Sequence, residues 1–330
     1  MQATYRSYAE QAAHYFDRPH EARPPGPLAG PAAWRGAELA PSDWRSALDA
    51  AQLAGFERAL AAARATGKPL AALAREDFPL PASLAAEVAR WRRELGAGRG
   101  FLLLSGLPVE RWGEEESSRF FWCFGLALGW PGAQNPQGDL LGHVIDTGDD
   151  RTNPLVRLYR TRSEIAYHCD AADAVGLLCL RAAPRGGLSR LASSVTVYNE
   201  VLRRRPELAP LLFEPFALDV RSEERPGMRG WIPVPPCRFA GGALRTFYHS
   251  DYFRSAARHA DAPRRTDGQQ ALLDLYDEIA NEPAIRLDMA LAPGDLQLVS
   301  NHTVIHARTA YDDAPDAGGR RHLLRLWLSL

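Results

Sequence analysis

The chain has 330 residues, of which 46% are hydrophobic, and its formal net charge is −1. This length and hydrophobic content are enough to bury a large core. The near-zero net charge argues against binding to nucleic acid or membrane surfaces through bulk electrostatics. No apolar run approaches the roughly 20 residues that a membrane-spanning helix needs. We therefore expect a protein that binds neither nucleic acid nor membrane.

The cysteines indicate the cellular compartment. They form no CxxC pair and have no regular spacing, and they are Cys123, Cys169, Cys179 and Cys237. Such a pattern is typical of free thiols in a reducing compartment. The N-terminus has no basic region followed by an apolar run, as a signal peptide would. We expect a cytoplasmic protein, and its oligomeric state stays open, with a homo-oligomer as one option.

The first 130 residues are predominantly helical. Residues 1–40 suggest a short helix and then an extended arm, because a Pro/Gly-rich run interrupts them. Apolar residues recurring every three to five positions predict helices at 42–60, 81–95 and 113–129. The glycine-bounded run 100–104 predicts a buried strand.

Short strands dominate the rest of the chain. They are predicted at 141–145, 156–159, 165–170, 175–180, 188–192, 231–234, 244–248, 285–291, 296–305 and 322–330. Two helices are predicted among them, at 196–204 and 267–281. Many short strands with helical insertions favour a β-barrel or β-sandwich within an α+β fold. No repeat and no long linker divides the chain, so we expect a single domain, 1–330.

The sequence 165–170, Ile-Ala-Tyr-His-Cys-Asp, places an imidazole and a carboxylate two residues apart. Residues i and i+2 of a strand point to the same face, so His168 and Asp170 can reach one metal ion. Cys169 then points to the opposite face, where we expect it to pack rather than to bind metal.

A third ligand is available near the C-terminus. His302 and His306 are four residues apart, so they would share a face of one regular strand, and either could complete the site. Two imidazoles and one carboxylate form the facial triad of non-haem Fe(II) oxygenases, which leaves three coordination positions open. Zinc would favour a tetrahedral site, and no acid is evidently placed as a general base for a zinc hydrolase. His143 and His249 could also lie near the pocket, although a structural role is favoured for both.

Two arginines follow the last histidines of this region. In the run 320–328, which leads into the predicted strand 322–330, alternation places Arg321 and Arg325 on one face. Buried charge is costly unless it is paired, and a dicarboxylate is a suitable bidentate partner for a guanidinium. The alternative is a solvated edge strand.

Four motifs in this order resemble the taurine dioxygenase superfamily, which includes γ-butyrobetaine hydroxylase and clavaminate synthase. They are the H-x-D pair, Gly-Gly-Leu-Ser at 186–189, the stretch 301–309, and Arg-Arg-His-Leu-Leu-Arg at 320–325. The resemblance extends over 80–330 and implies an Fe(II)- and 2-oxoglutarate-dependent oxygenase on a double-stranded β-helix. This is an α+β jelly-roll, cupin-like core with flanking helices and helical insertions. Residues 1–80 would be an N-terminal helical and extended segment packed on this core.

The resemblance implies roles for individual residues. His168, Asp170 and His306 match the iron ligands, so His302 is expected to be structural. Arg321 matches the arginine that binds the distal carboxylate of 2-oxoglutarate, and Ser189 occupies a position where the family often has Ser or Thr beside that carboxylate.

The expected reaction is oxidation of an aliphatic C–H bond in a small molecule, most simply hydroxylation. Fe(II) would be the cofactor, with 2-oxoglutarate and dioxygen as co-substrates and succinate and carbon dioxide as products. The alternatives are a desaturase, epimerase or cyclising oxidase on the same iron centre, or a non-catalytic metal- or ligand-binding barrel.

Several residues are expected to face the substrate. They are Asn135, Tyr159, Arg245, Phe247, Tyr248 and Arg325. Arg325 matches a position that holds an anionic substrate group in some family members. If it faces the substrate here, the substrate carries a carboxylate or a sulfonate.

Overall fold

The computed structural model describes residues 4–149, 156, 158–221 and 227–330. Among these residues the α-helices are α1 Tyr8–Phe16, α2 Pro41–Trp44, α3 Ala50–Ala65, α4 Ala82–Ala97, α5 Val109–Leu128, α6 Ser194–Arg204, α7 Ser250–Ser255 and α8 Asp267–Asn281. No described helix is long and apolar enough to cross a membrane.

The strands follow in chain order. They are β1 Arg45–Ala47, β2 Phe101–Ser105, β3 Trp130–Gly132, β4 Gly142–Val144, β5 Ile165–His168, β6 Ala174–Arg181, β7 Arg185–Gly186, β8 Ser189–Ser193, β9 Phe216–Asp219, β10 Trp231–Val234, β11 Cys237–Ala240, β12 Ala243–Thr246, β13 Leu287–Met289, β14 Leu296–Ser300, β15 Val304–Arg308, β16 Tyr311–Asp312 and β17 His322–Ser329.

Two sheets form the core of the fold. The larger has the order β1-β2-β14-β6-β17-β3, with β4 also paired to β17, and the smaller has the order β13-β8-β15-β5. Pairing is antiparallel except between β1 and β2. Buried residues from both sheets, including Val175, Leu191, Val304 and Leu323, pack together in one interior cluster. This is the jelly-roll architecture that the resemblance predicted.

Helices cover the outer face of the larger sheet. Alternation on β17 directs Leu323 and Trp327 to the interior, while Leu324, Leu326 and Leu328 join a separate outer cluster. There, rings on α3 and α5 meet those leucines, and Phe56, Phe120 and Phe124 lie with ring centroids 5.2–5.9 Å apart. Burying one such side chain stabilises the fold by about 1.5–3 kcal/mol.

Helices α6 and α8 cover the smaller sheet in the same way. Tyr198, Leu272 and Tyr276 from these helices pack in one cluster with Ile305 of β15. Cys169 is buried in this cluster, which confirms its predicted role in packing. The two ligand-bearing strands of the smaller sheet are therefore held between a helical layer and the barrel interior.

Helix α1 is joined to the core through Asp173, which follows β5. Asp173 is hydrogen-bonded to His14 Nε2 at 2.9 Å and forms an ion pair with Arg18. It also accepts from the backbone N–H of Leu330 at 2.9 Å. A capping box at Ser7 begins the helix. This N-terminal segment is thus fastened to the start of β6 and to the end of the chain.

The predicted helix 42–60 is wrong in its first part. Helix α2 ends at Trp44, β1 pairs with β2, and α3 begins only at Ala50. Asp49 determines this start, because its side chain accepts a hydrogen bond from the backbone N–H of Gln52 at 2.7 Å and forms a capping box. Apolar spacing continues across the interruption, so periodicity alone did not reveal it.

The predicted single strand 296–305 is also wrong. Strand β14 ends at Ser300 and β15 begins at Val304, with a turn over 301–303. Asn301 fixes this turn, because its side chain accepts from the Asp170 N–H at 3.0 Å and donates to the Ala172 carbonyl at 2.9 Å. His302 and His306 therefore do not share a strand face.

Two further expectations need correction. In the predicted strand 156–159, Leu158–Arg160 is a short 3-10 helix, and part of the prediction lies outside the described residues. The edge-strand alternative for 322–330 is wrong, because β17 lies between β6 on one side and β3 and β4 on the other. Arg325 is consequently buried, with only 7% of its surface exposed.

Candidate metal and co-substrate site

His168, Asp170 and His306 meet at the inner side of the smaller sheet. Strands β5 and β15 are antiparallel neighbours, and His168 lies directly opposite His306. The two imidazole centroids are 4.2 Å apart, and His306 Nε2 is 3.8 Å from Asp170 Oδ2. One ligand atom from each of the three residues lies within 4.8 Å of the others. The structure thus brings the predicted triad together, and we name it the metal triad.

The protonation of the metal triad suits a divalent cation. Burial, with a smaller contribution from His168, lowers the pKa of His306 to about 3, and burial also lowers the pKa of His168. Both imidazoles are therefore neutral near pH 7, as metal ligands must be. Burial alone would raise the pKa of Asp170, but Arg325, His306 and His168 outweigh it and lower this pKa, so the carboxylate is ionised.

The tautomer of His168 also fits a metal. Its Nδ1 lies 3.0 Å from the Ala166 carbonyl oxygen, which can only accept a hydrogen bond. Nδ1 is therefore the protonated nitrogen, and the lone pair of Nε2 is available for coordination. Two neutral imidazoles and one carboxylate are a donor set that fits Fe(II).

A cavity of about 60 Å³ adjoins the metal triad. It is lined by all three triad residues together with Tyr159, Ser189, Arg308, Arg321 and Arg325, among others. Arg321 is only 5% exposed, and its Nη1 has no hydrogen-bond partner among the described residues. Ser189 Oγ is nearby and donates to Gln297 Oε1 at 3.0 Å. A buried cation with an unsatisfied donor fits an anionic ligand, as the distal carboxylate of 2-oxoglutarate would be.

Arg325 contacts the metal triad itself. Its Nη1 is 3.6 Å from Asp170 Oδ1, and its Nε donates to Gln134 Oε1 at 2.7 Å. The guanidinium carbon lies 4.6 Å from the Tyr159 ring centroid and 5.3 Å from that of Trp327. Arg325 is therefore held by an amide and two aromatic rings in a position that orients the carboxylate of Asp170.

A larger cavity of about 260 Å³ opens on the other side of Asp170. Most of its wall is apolar or aromatic, and it includes Phe16, Phe247, His249, Tyr252 and Trp327. The rings of His249 and Tyr252 stack with centroids 3.6 Å apart, and His249 lies 5.1 Å from His168. This cavity is the space beside the metal triad that a substrate can enter.

Residues 66–327 match the family model for the taurine catabolism dioxygenase TauD, TfdA family. The chain belongs to this family.

Individual proteins are similar to this chain over most of their length. FR-33289 synthase from Streptomyces rubellomurinus is 32% identical over 308 residues, which is 92% of this chain and 91% of that protein. A taurine hydroxylase-like protein from Stachybotrys chartarum is 27% identical over 94% of this chain and 82% of its own. The structure of asparagine oxygenase with Fe(II), a hydroxyasparagine and succinate is 21% identical, with a TM-score of 0.70 over 87% of this chain and 93% of that one. That likeness shows a shared fold.

Membership of the TauD, TfdA family confirms the enzyme class predicted from the sequence. The protein is an Fe(II)- and 2-oxoglutarate-dependent dioxygenase. The alternative of a non-catalytic ligand-binding barrel is thereby excluded.

Three of the residues predicted to face the substrate lie away from the metal triad and its two cavities. The Asn135 side chain bonds to Asp139 within its own loop, and its neighbour Gln134 makes the contact with Arg325 instead. Arg245 lines a separate cavity of about 20 Å³. Tyr248 is buried and donates to Asp277 at 2.8 Å. Of the predicted set, Tyr159, Phe247 and Arg325 line the two cavities beside the metal triad.

Gln134, Trp327 and Arg308 contribute to the site but were not selected from the sequence. Trp327 lies two residues after Arg325 on β17, and Arg308 lies two residues after His306 on β15. The alternation used for His168 and Asp170 would have found both. Gln134 offers no such signal, because its contact with Arg325 spans 191 residues.

The remaining histidines of interest have structural partners. His302 Nε2 is 2.8 Å from Asp173 Oδ1, and its ring stacks on Tyr15 with centroids 4.9 Å apart. His143 is exposed and lies with Glu114 and His322 in a second group of ligand-type side chains, which we name the rim cluster. His302 is thus structural, as the family resemblance implied, and His143 lies outside both cavities.

Proposed function

We propose that the metal triad of His168, Asp170 and His306 holds the Fe(II) of this dioxygenase, and that Arg321 and Ser189 hold the distal carboxylate of 2-oxoglutarate. Ser189 would turn its single O–H from Gln297 Oε1 to this carboxylate. The observation that carries the proposal is the buried, unpartnered Nη1 of Arg321 in the cavity that the triad also lines. When bound, the iron supplies the redox chemistry with dioxygen.

The chain's own residues bind and orient the reactants. The charge of Arg321 attracts a dicarboxylate into a cavity where water cannot screen the interaction. Arg325 fixes the carboxylate of Asp170, and the rings of Tyr159 and Trp327 hold Arg325 in place. Burial of these groups excludes bulk water from the reacting bond.

The substrate is proposed to be a small molecule that enters the cavity of about 260 Å³ beside Asp170. Phe247, Tyr252 and Trp327 would pack against its apolar part. Arg325 remains the predicted partner of an anionic substituent, such as a carboxylate or sulfonate, reached from the side of the smaller cavity. Arg245 and Asn135 have no contact with either space that supports such a role.

We also propose that residues 1–330 act as one catalytic domain. The support is helix α1, which supplies Phe16 to the substrate cavity and is joined to Asp173 at the start of β6. A reducing cytoplasmic location is proposed from the four cysteines, all of which are free and buried. A homo-oligomer stays a prediction.

The test starts with anaerobic protein, Fe(II) and 2-oxoglutarate, which should develop the weak visible charge-transfer band of a chelated keto acid. Absence of this band in the wild type would refute the co-substrate assignment. A succinate-release screen over amino acids, betaines and sulfonates should then identify the substrate. The product should gain one oxygen atom, whereas loss of two hydrogens or an unchanged mass would indicate a desaturase, cyclising oxidase or epimerase.

A further inference from the structure

A third arginine, Arg308, lines the co-substrate cavity beside Arg321 and Arg325 and has no part in the proposed function so far. Arg308 follows His306 by two residues on β15, so the two side chains share the inner face of the strand. Across the sheet, Arg308 lies directly opposite Ser189 on β8. Both Arg308 and Ser189 line the cavity of about 60 Å³ that adjoins the metal triad.

The contacts of Arg308 leave two of its three guanidinium nitrogens without a partner among the described residues. Nη2 donates to the Thr161 carbonyl at 2.7 Å and also to the carbonyl of Ser163. Nε and Nη1 are buried and have no hydrogen-bond partner among the residues that the structure describes. The side chain is only 6% exposed. Nη2 of Arg308 is therefore bonded to the backbone of 161–163, whereas the N–H groups of Nε and Nη1 are available to a ligand.

Arg308 and Arg321 are close enough to repel each other. Their guanidinium carbons lie 4.9 Å and 5.0 Å from the centroid of the same Tyr311 ring. Two buried like charges are costly unless an anion offsets them. A dianionic co-substrate in this cavity provides such an offset.

We propose that Arg308 is a second cation of the 2-oxoglutarate pocket, acting as a positioning residue. Its Nη2 holds the backbone at Thr161 and Ser163, next to the turn that carries Tyr159, while its charge strengthens binding of the distal carboxylate held by Arg321 and Ser189. The proposal rests on the proposed function, because it requires 2-oxoglutarate in this cavity.

The experiment compares two keto acids in wild-type protein and in Arg308→Gln. Anaerobic titration with Fe(II), followed through the charge-transfer band, gives Kd for 2-oxoglutarate and for 2-oxobutyrate, which lacks the distal carboxylate. The wild type should strongly prefer 2-oxoglutarate. In Arg308→Gln the ratio of the two Kd values should fall about tenfold, which corresponds to about 1.4 kcal/mol. A purely structural role would weaken both ligands equally and leave the ratio unchanged, which would overturn the proposal.

Three controls separate the possible outcomes. Arg162→Gln removes an exposed guanidinium from the same segment and should leave the ratio at the wild-type value. Arg321→Gln should reduce the ratio in any case. If it does so while Arg308→Gln does not, Arg308 is not a cation of this pocket and the proposed function stands. If wild-type protein binds neither keto acid, the proposed function itself fails.

Loss of folding is not expected to obscure this test. Removing one of two buried like charges relieves their repulsion, and glutamine can still donate to a carbonyl. Should Arg308→Gln fail to fold, Arg308→Met provides the same measurement, because its flexible apolar side chain fills the space of the arginine stem. The same tenfold fall in the ratio is expected, and an unchanged ratio would again contradict the proposal.

Discussion

The metal triad and the rim cluster contain the same types of side chain but differ in what surrounds them. In the metal triad, His168 donates through Nδ1 to a backbone carbonyl and keeps the Nε2 lone pair available. In the rim cluster, Arg181 Nη2 lies 3.1 Å from His322 Nδ1. Because arginine only donates, Nδ1 of His322 must accept, and its Nε2 then carries the proton.

This protonated Nε2 of His322 is used within the rim cluster. It lies 2.9 Å from His143 Nδ1, to which it donates. His322 therefore has no lone pair left for a metal, although Glu114 is within 3.6 Å. The positive charge of Arg181 further disfavours a cation. The two groups therefore differ less in the spacing of their side chains than in the hydrogen bonds of their histidines. A histidine can bind a metal when one ring nitrogen donates to an acceptor and the other keeps its lone pair, as in His168, but not when both nitrogens are used in hydrogen bonds, as in His322.

The largest expected difference between the two groups comes from removing one carboxylate from each. Asp170→Ala should weaken Fe(II) binding and reduce substrate-coupled succinate formation by at least about 100-fold, because a direct ligand contributes at least as much as the partners behind it. Anaerobic Fe(II) titration and a succinate assay measure the two effects. Glu114→Ala is the matched control, and its activity should stay within about twofold of the wild type. Equal losses in both variants would mean that the two groups were assigned wrongly.

A smaller effect is expected from the arginines near each group. Arg321→Gln should raise the KM for 2-oxoglutarate by roughly 30-fold or more, because truncating a buried, hydrogen-bonded charge pair costs about 2–5 kcal/mol. Steady-state kinetics with varied 2-oxoglutarate measures it. Arg181→Gln, near the rim cluster, should leave this KM unchanged. An unchanged KM in Arg321→Gln would show that the distal carboxylate is bound elsewhere.

The smallest effect concerns stability in acid. Burial lowers the pKa of His322 to about 4, from about 6.5 in an unfolded chain. His143 and Arg181 lower this pKa as well, whereas the charge of Glu114 raises it. The neutral ring thus contributes stability that is fully present above pH 6.5 and is lost as the pH falls towards 4. One proton changes the unfolding free energy by at most about 1.4 kcal/mol per pH unit.

His322→Gln should therefore show a shallower loss of stability between pH 6.5 and pH 4 than the wild type. Urea unfolding at a series of pH values provides the measurement. Metal-free protein is used, because pH-dependent metal binding to the triad would otherwise change the unfolding free energy as well. His20→Gln removes an exposed imidazole and serves as the control. Parallel pH profiles for wild type and His322→Gln would show that His322 does not titrate in this range.

Site residues placed by local sequence patterns could be predicted, whereas those placed by contacts between distant parts of the chain could not. His168 and Asp170 were predictable because strand alternation is a local property, and β5 has it. Spacing could not choose between His302 and His306, because the turn at Asn301 depends on contacts with residues about 130 positions earlier. The family motifs decided that choice.

Loops were the least predictable part. Asn135, in the loop after β3, was expected to face the substrate, but its side chain bonds to Asp139 in its own loop, and its neighbour Gln134 contacts Arg325 instead. Neighbouring polar residues of similar chemistry cannot be distinguished without the backbone conformation. The burial of Arg325 likewise depended on the place of β17 in the sheet, which pairing with β6 and β4 determines.

Helix α1 contacts the larger cavity and the core through different residues, which affects how new substrate preferences can arise. Tyr8, Ala12 and Phe16 recur on one side of this helix and form part of the wall of the larger cavity, yet they precede the matched region 66–327. Its attachment to Asp173 uses His14 and Arg18, which are different residues from those in the wall. Wall positions can therefore vary while the attachment and the metal triad stay constant. A library randomised only at these three positions would explore altered selectivity at little risk to the iron centre.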